Sequence, residues 1–336
     1  MRLASLDIIR FFAAFAVMLY HYTGTTGVFF NALGHVTKYG YLGVPLFFMI
    51  SGLVISITAE NRLAVPFAIA RFVRLFPCYW ACMIITLIAL FLTNKLDFTP
   101  LEIAANTTML NDYVEIRNID GVYWTLQVEL KFYACVFFLL ATNTFQFKRA
   151  WLTVWMLLCA SYIFFDQPRI LGWFIHPTYS PCFIAGVAMY LLRKEGANIF
   201  NVGTLGLSFI LILFTSSSKV DQFISEANSA ETFFSLLTIA LFFALLLAIS
   251  LDKIIVKPRK IYYILGGISY PLYLVHNVAG KQLIIGLSPL LGTTLSITLT
   301  CFAVLIIAYI VFMFVEQNTA KPLKKGLESI LLGGKS

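Results

Sequence analysis

Leu6 to Thr23 reads LDIIRFFAAFAVMLYHYT, and this stretch decides the fold class. Its apolar run is interrupted by Asp7, Arg10 and His21. On a helix, positions 7, 10, 14, 17 and 21 step by three and four, so these three polar residues share one stripe with Ala14 and Val17. Arg10 and His21 are eleven residues apart, about 16 Å of helix rise. Ionisable groups at membrane depth are costly and face a bundle interior or a wet cavity. The stretch therefore reads as one wall of a lined interior, charged at one end and carrying an imidazole towards the other.

The rest of the composition agrees with a membrane location. Of 336 residues, 60% are hydrophobic and 12% charged, and the mean hydropathy is +0.86. A soluble domain carries about twice that charge. The six cysteines lie in or beside apolar runs and read as small buried hydrophobes, with no disulfide framework. No His or Cys pairing suggests a metal site. The first apolar run has no small-residue cleavage site and carries Arg10 and His21, so no cleavable signal peptide is expected. Nucleic-acid binding is a poor use for so apolar a chain, and its net charge of +8 is read by location instead.

Apolar length predicts about ten membrane-spanning helices in one bundle, an all-α integral membrane protein. The spans are 6–23, 40–58, 76–93, 123–142, 150–165, 178–193, 202–215, 232–251, 261–286 and 293–315, with 150–165 and 202–215 the shortest. With the N-terminus inside, sixteen Lys and Arg fall in cytoplasmic segments and five in outer loops. This positive-inside bias predicts both termini in the cytoplasm. No internal repeat or Pro- and Gly-rich linker divides residues 1–336, so a single membrane domain is expected, with a short basic cytoplasmic tail at 317–336. The longest outer loop, 94–122, is acidic and long enough to carry function. The sequon Asn106-Thr107-Thr108 within it is read as chance.

Four further stretches carry candidate chemistry. Gly43–Ser56, GVPLFFMISGLVIS, holds small residues that either permit close helix packing or mark a local unwinding. In ARFVRLFPCYW, Arg71 and Arg74 share a helical face at the inner boundary. Two guanidiniums so placed match a phosphate or pyrophosphate, although spacing alone favours ordinary positive-inside anchoring. Glu129, in YWTLQVELKFY, lies roughly 9 Å in from the outer surface. His276, in SYPLYLVH, lies roughly 22 Å from the inner face, near the depth expected of His21. Three ionisable side chains from three spans thus fall at one level. Glu316, at the inner end of the last span, is placed to pair with Arg10, Arg71 or Arg74.

Taken in order, LDIIRFFAAFAVMLYH, FFMISG, Arg71-Phe72-Val73-Arg74 with Leu75, Pro77, Tyr79 and Trp80, YWTLQVELKFY, SYPLYLVH and the terminal FVEQ with Lys321-Pro322 span nearly the whole chain. Together they resemble the membrane acyltransferase 3 family, bacterial integral-membrane O-acyltransferases that modify surface polysaccharides. The resemblance implies acyl-CoA, commonly acetyl-CoA, as a cytoplasmic co-substrate, with no tightly bound cofactor. It implies an acceptor hydroxyl on an extracytoplasmic carbohydrate such as an O-antigen or exopolysaccharide, and residence in the bacterial inner membrane. It further implies Arg10, Arg71 and Arg74 as donor-binding residues and His21 as catalytic. Two features depart from the family pattern. Gln-Asn-Thr-Ala follows Glu316, where a basic residue and proline are more usual, and residues 1–336 include no segment expected to form the extracytoplasmic hydrolase-like domain of longer members.

In the mechanism that follows, the arginines hold the anionic end of the donor while its uncharged arm reaches the level of His21. An imidazole suits the general-base task, and Glu129 or His276 orients it or stabilises its developing charge. A covalent acyl-histidine is the rival chemistry. A multi-span secondary transporter using the same buried ionisable residues is the alternative function.

Overall fold

In a computed structural model, residues 4–24, 31–165, 172, 174–224 and 227–333 are described, and no strand occurs among them. Seven helical segments are long and apolar enough to cross a membrane: Ala4–Thr23, Gly34–Ala59, Ala64–Leu92, Gly121–Ala141, Ile199–Ser217, Ser229–Ser250 and Thr293–Leu331. They coincide with seven of the ten expected spans. The other three expected spans fall on helices of 17 residues (Lys148–Phe164), 16 residues (Ser180–Glu195), and a broken pair of 16 and 14 residues (Lys260–Val275 and Val278–Leu291). The protein is thus an all-α integral membrane protein.

In chain order the helices are α1 (Ala4–Leu19), α2 (Asn31–Thr37), α3 (Gly43–Ala59), α4 (Ala64–Leu92), α5 (Pro100–Thr107), α6 (Trp124–Ala141) and α7 (Lys148–Phe164). They continue as α8 (Ser180–Glu195), α9 (Ile199–Ser217), α10 (Ser229–Ser250), α11 (Lys260–Val275), α12 (Val278–Leu291), α13 (Thr293–Ile310) and α14 (Gln317–Leu331). Two π-helical turns extend this framework, Tyr20–Gly24 after α1 and Val311–Glu316 after α13.

Two expectations need correcting. The span 261–286 is not one helix, because α11 ends at Val275 and α12 begins at Val278. At this break the Val278 N–H turns to the Asp120 carboxylate, so the ladder is interrupted one residue after the Asn277 side chain binds the same group. The span 76–93 is also too short. Helix α4 starts at Ala64 and runs 29 residues with Pro77 in its interior, about 43 Å of rise. Arg71 and Arg74 therefore lie on this helix, as their shared face requires, N-terminal to Pro77.

The chain forms two compact units, each built from three separate stretches. The first comprises Met1–Leu6, Lys38–Ala64 and Val128–Lys257. Its centre is α8, in which every residue from Ser180 to Leu191 is buried, as befits a helix enclosed on all sides. Helix α3 packs on it through glycine. A Cβ on Gly52 would stand 2.2 Å from the Phe183 carbonyl oxygen, and one on Gly186 2.2 Å from that of Met49. Small residues give such close backbone approach its packing contacts. The continuous helix from Gly43 to Ala59 decides between the two readings of that stretch in favour of packing. At its C-terminus Glu60 accepts hydrogen bonds from Lys194 Nζ (2.7 Å) and Tyr190 Oη (2.6 Å), and pairs with Lys148 Nζ (3.1 Å). Burial alone would raise the Glu60 carboxyl, but these three donors outweigh it and hold the pKa down to about 2.

The second unit comprises Asp7–Thr37, Val65–Gln127 and Pro258–Ser336. Close packing again runs through glycine, since a Cβ on Gly266 would meet Asp7 and one on Gly267 the Phe312 ring. The acidic stretch 94–122 is folded. Thr99 and Glu102 close a reciprocal cap on α5, while Gln127 Nε2 donates to Asn111 and Asn118 at 2.9 and 3.0 Å. Asn106 is fully buried and its amide donates to the Glu102 and Arg117 carbonyls. The sequon is therefore committed to the fold.

Candidate active site

The site assembles in the second unit around the ends of α1 and α11. The first helix does not run regularly to Thr23. It passes into the π turn Tyr20–Gly24, and His21 sits in that turn, half-buried. Single π turns recur at functional sites because they re-aim one side chain out of the regular ladder. His276 lies at the other helix end, in the break between α11 and α12, and is fully buried. The two imidazoles meet at 5.2 Å between ring centroids with an interplanar angle of 42°.

The hydrogen bonds of His276 decide its chemistry. Its Nδ1 lies 2.8 Å from the Tyr273 carbonyl oxygen. A carbonyl only accepts, so Nδ1 carries the proton and the neutral ring presents a lone pair at Nε2. That Nε2 is buried and has no hydrogen-bond partner among the described residues. A buried acceptor left without a donor costs free energy, on the order of 1–3 kcal/mol, which makes this atom a place where a proton or a donor is wanted.

The backbone beside His276 is held from two directions. Tyr22, next to His21, donates its hydroxyl to the His276 carbonyl at 2.7 Å. There is no space to spare, because a Cβ on Gly280 would stand 1.9 Å from that hydroxyl. Asp120, also fully buried, accepts from the Asn277 amide (2.7 Å), the Val278 N–H (2.8 Å) and the Val122 N–H (3.1 Å).

The three arginines lie in the same unit, Arg10 on α1 and Arg71 and Arg74 on α4. Arg74 forms an ion pair with Glu316, which lies in the second π turn, and its guanidinium stands 5.7 Å from the Tyr270 ring centroid. Tyr270 in turn donates to the Leu75 carbonyl at 3.2 Å. Arg71 lies over Phe67 at 5.8 Å, and Arg10 is half-buried on α1. Along α11, Tyr270 and His276 are six residues apart, roughly 9 Å of rise. Of the expected pairings for Glu316, the one with Arg74 is realised.

Glu129 belongs to the first unit. Its Oε1 accepts from Ser51 Oγ at 2.7 Å and from Tyr133 Oη at 2.6 Å, joining α3 to α6. Two neighbours of the histidines escaped the sequence reading. Asp120 stood there only as one acid of an outer loop, and Tyr22 as part of an apolar run. The residues themselves gave one faint signal, an Asp-Gly pair separated from the YWT stretch by Val122 alone.

A search of curated proteins and a search of solved structures each return no significant match. The family comparison is positive: a model described as an acyltransferase domain matches residues 3–313. That range takes in both histidines, Asp120, Glu129 and all three arginines of interest, and on this match the chain belongs to the acyltransferase 3 family of membrane acyltransferases.

Proposed function

We propose that this enzyme moves an acyl group, acetyl in the simplest case, from cytoplasmic acyl-CoA to a hydroxyl of an extracytoplasmic carbohydrate such as an O-antigen or exopolysaccharide. It works in a bacterial inner membrane as a single acyltransferase domain with both termini cytoplasmic and a short basic tail. The distribution of Lys and Arg, sixteen against five, supports that orientation.

The observation that carries the proposal is the His21–His276 pair with an unpartnered Nε2. The acceptor hydroxyl oxygen attacks the thioester carbonyl carbon and its proton passes to His21. On protonation His21 becomes a donor at both ring nitrogens, and His276 Nε2 accepts one of those N–H groups. Collapse of the tetrahedral intermediate breaks the C–S bond, and the departing CoA thiolate takes the proton back from His21. The products are the carbohydrate ester and free CoA. Apart from this centre, Arg71, Arg74 and Arg10 hold the anionic end of CoA, where planar guanidinium forks match phosphate oxygens.

Glu129 is the third group of the proposal. Glu129→Gln keeps an acceptor for the Ser51 and Tyr133 hydroxyls, so its activity reads the carboxylate charge alone.

The test is an assay of the purified protein in detergent or nanodiscs with radiolabelled acetyl-CoA and an acceptor glycan. Release of free CoA with label on the glycan is expected. Absence of transfer there, together with movement of label across the membrane when the protein is reconstituted in sealed vesicles, would replace the proposal with a transporter.

A further inference from the structure

The two residues that follow His276 both donate to one carboxylate. Asp120 Oδ1 receives the Asn277 side chain and Oδ2 receives the Val278 N–H, so the two residues after the imidazole are fixed by a group 157 positions earlier in the chain. Among the described residues all three partners of Asp120 are donors, the third being its own Val122 N–H. On the other side Tyr22 donates to the His276 carbonyl, and the Tyr273 carbonyl accepts the ring's Nδ1–H. The Tyr273 hydroxyl accepts from Thr125 Oγ1 at 3.1 Å, which ties the residue below the imidazole to the first turn of α6.

We infer that Asp120 is a positioning residue for the transfer step: by clamping Asn277 and Val278 it fixes where His276 Nε2 points relative to His21. The inference rests on the reading of the histidine pair given above. The clamp acts through the main chain and touches neither reacting group. Burial explains why it is specific. A side chain with no solvent exposure and three short contacts cannot be replaced by water, and its removal leaves the Val278 N–H and the Asn277 amide without acceptors. A shift of about 1 Å at a reacting group costs on the order of 100-fold in rate.

The experiment is a kinetic comparison of Asp120→Asn with the wild type, normalised to folded protein by size exclusion and circular dichroism. An Asn side chain keeps one acceptor oxygen but turns an NH₂ towards the donors. The expected result is a kcat lowered ~10- to 100-fold with the donor KM nearly unchanged. Asn277→Ala serves as a second variant. It removes one contact and leaves the Val278 bond to Asp120, so a smaller kcat loss at constant KM is expected. If Asp120→Asn does not fold, Asn277→Ala alone decides. A folded Asp120→Asn with wild-type kcat, or a loss carried wholly by donor KM, overturns the inference, and so does an Asn277→Ala at wild-type kcat when it must decide. His21→Gln run in parallel separates the two levels. Inactive His21→Gln beside a fully active Asp120→Asn removes only the clamp, whereas an active His21→Gln removes the histidine mechanism beneath it.

Discussion

His276 and His21 face each other at 5.2 Å between ring centroids, one in a helix break and the other in a π turn. Both irregularities serve the same meeting. A regular α1 would carry position 21 elsewhere around its axis, and a continuous α11–α12 would give the Val278 N–H to the preceding turn in place of Asp120.

This pairing predicts the behaviour of His276→Phe. The ring keeps most of the volume but loses the Nε2 acceptor and the Nδ1–H bond to Tyr273. Transfer should fall about 10- to 100-fold in kcat, less than the roughly 100- to 10,000-fold contribution of a group that itself takes the proton, with donor KM little changed. Steady-state kinetics on folded, purified variant protein check it.

The arginines predict a separation between binding and stability. Arg71→Ala should raise the donor KM and leave the melting temperature near wild type. Arg74→Ala should raise the donor KM and also destabilise by about 1–2 kcal/mol, because it leaves a mostly buried Glu316 without its cation. Lys at position 74 should restore the stability better than the affinity, since an ammonium pairs with a carboxylate but lacks the planar fork. Equal donor KM values for both Ala variants and the wild type would leave the pair as membrane anchors.

How much of this was legible beforehand depends on the range of the interaction. The helices are local, and all ten stretches marked by apolar length are helical, 261–286 in two pieces. The stripe of Asp7, Arg10 and His21 is also local, and it singled out the imidazole that stands against His276. What was hidden are contacts between distant positions. Asp120 gains its meaning from Asn277, 157 residues away, and nothing near Asp120 announces that partner. The π turn at Tyr20 is invisible to a 3.6-residue periodicity. Glu129 is a second case of the same kind: its hydrogen-bond partner Ser51 lies 78 residues away, and nothing near Glu129 in the sequence announces it.

Glu60 predicts a pH dependence of stability. Its folded pKa of about 2 lies below the ordinary value of 4.5. A carboxyl depressed on folding contributes stability that is fully present above the unfolded value and is lost as pH falls towards the folded one. The wild-type melting temperature should therefore drop as pH goes from about 5 towards 3, and Glu60→Gln should be less stable at neutral pH with a shallower drop. Parallel melting curves of identical slope would contradict the role given to the Lys148, Tyr190 and Lys194 contacts.

The charge asymmetry predicts the topology. Single cysteines placed in the 253–260 loop and near Lys148, on a background lacking the six native cysteines, should resist a membrane-impermeant thiol reagent in intact cells. Cysteines at exposed positions in 94–122 should react. Outside labelling at 253–260 would reverse the map and place the arginines on the wrong side for a cytoplasmic donor.

The central claim is that His21 takes a proton from the acceptor hydroxyl, and His21→Gln tests it most directly. Glutamine keeps comparable size and can hydrogen-bond, but it cannot take up a proton at neutral pH. The measurement is acyl transfer to the glycan per folded molecule, wild type alongside. The account predicts a loss of about 100-fold or more; a His21→Gln enzyme working near the wild-type rate would contradict it.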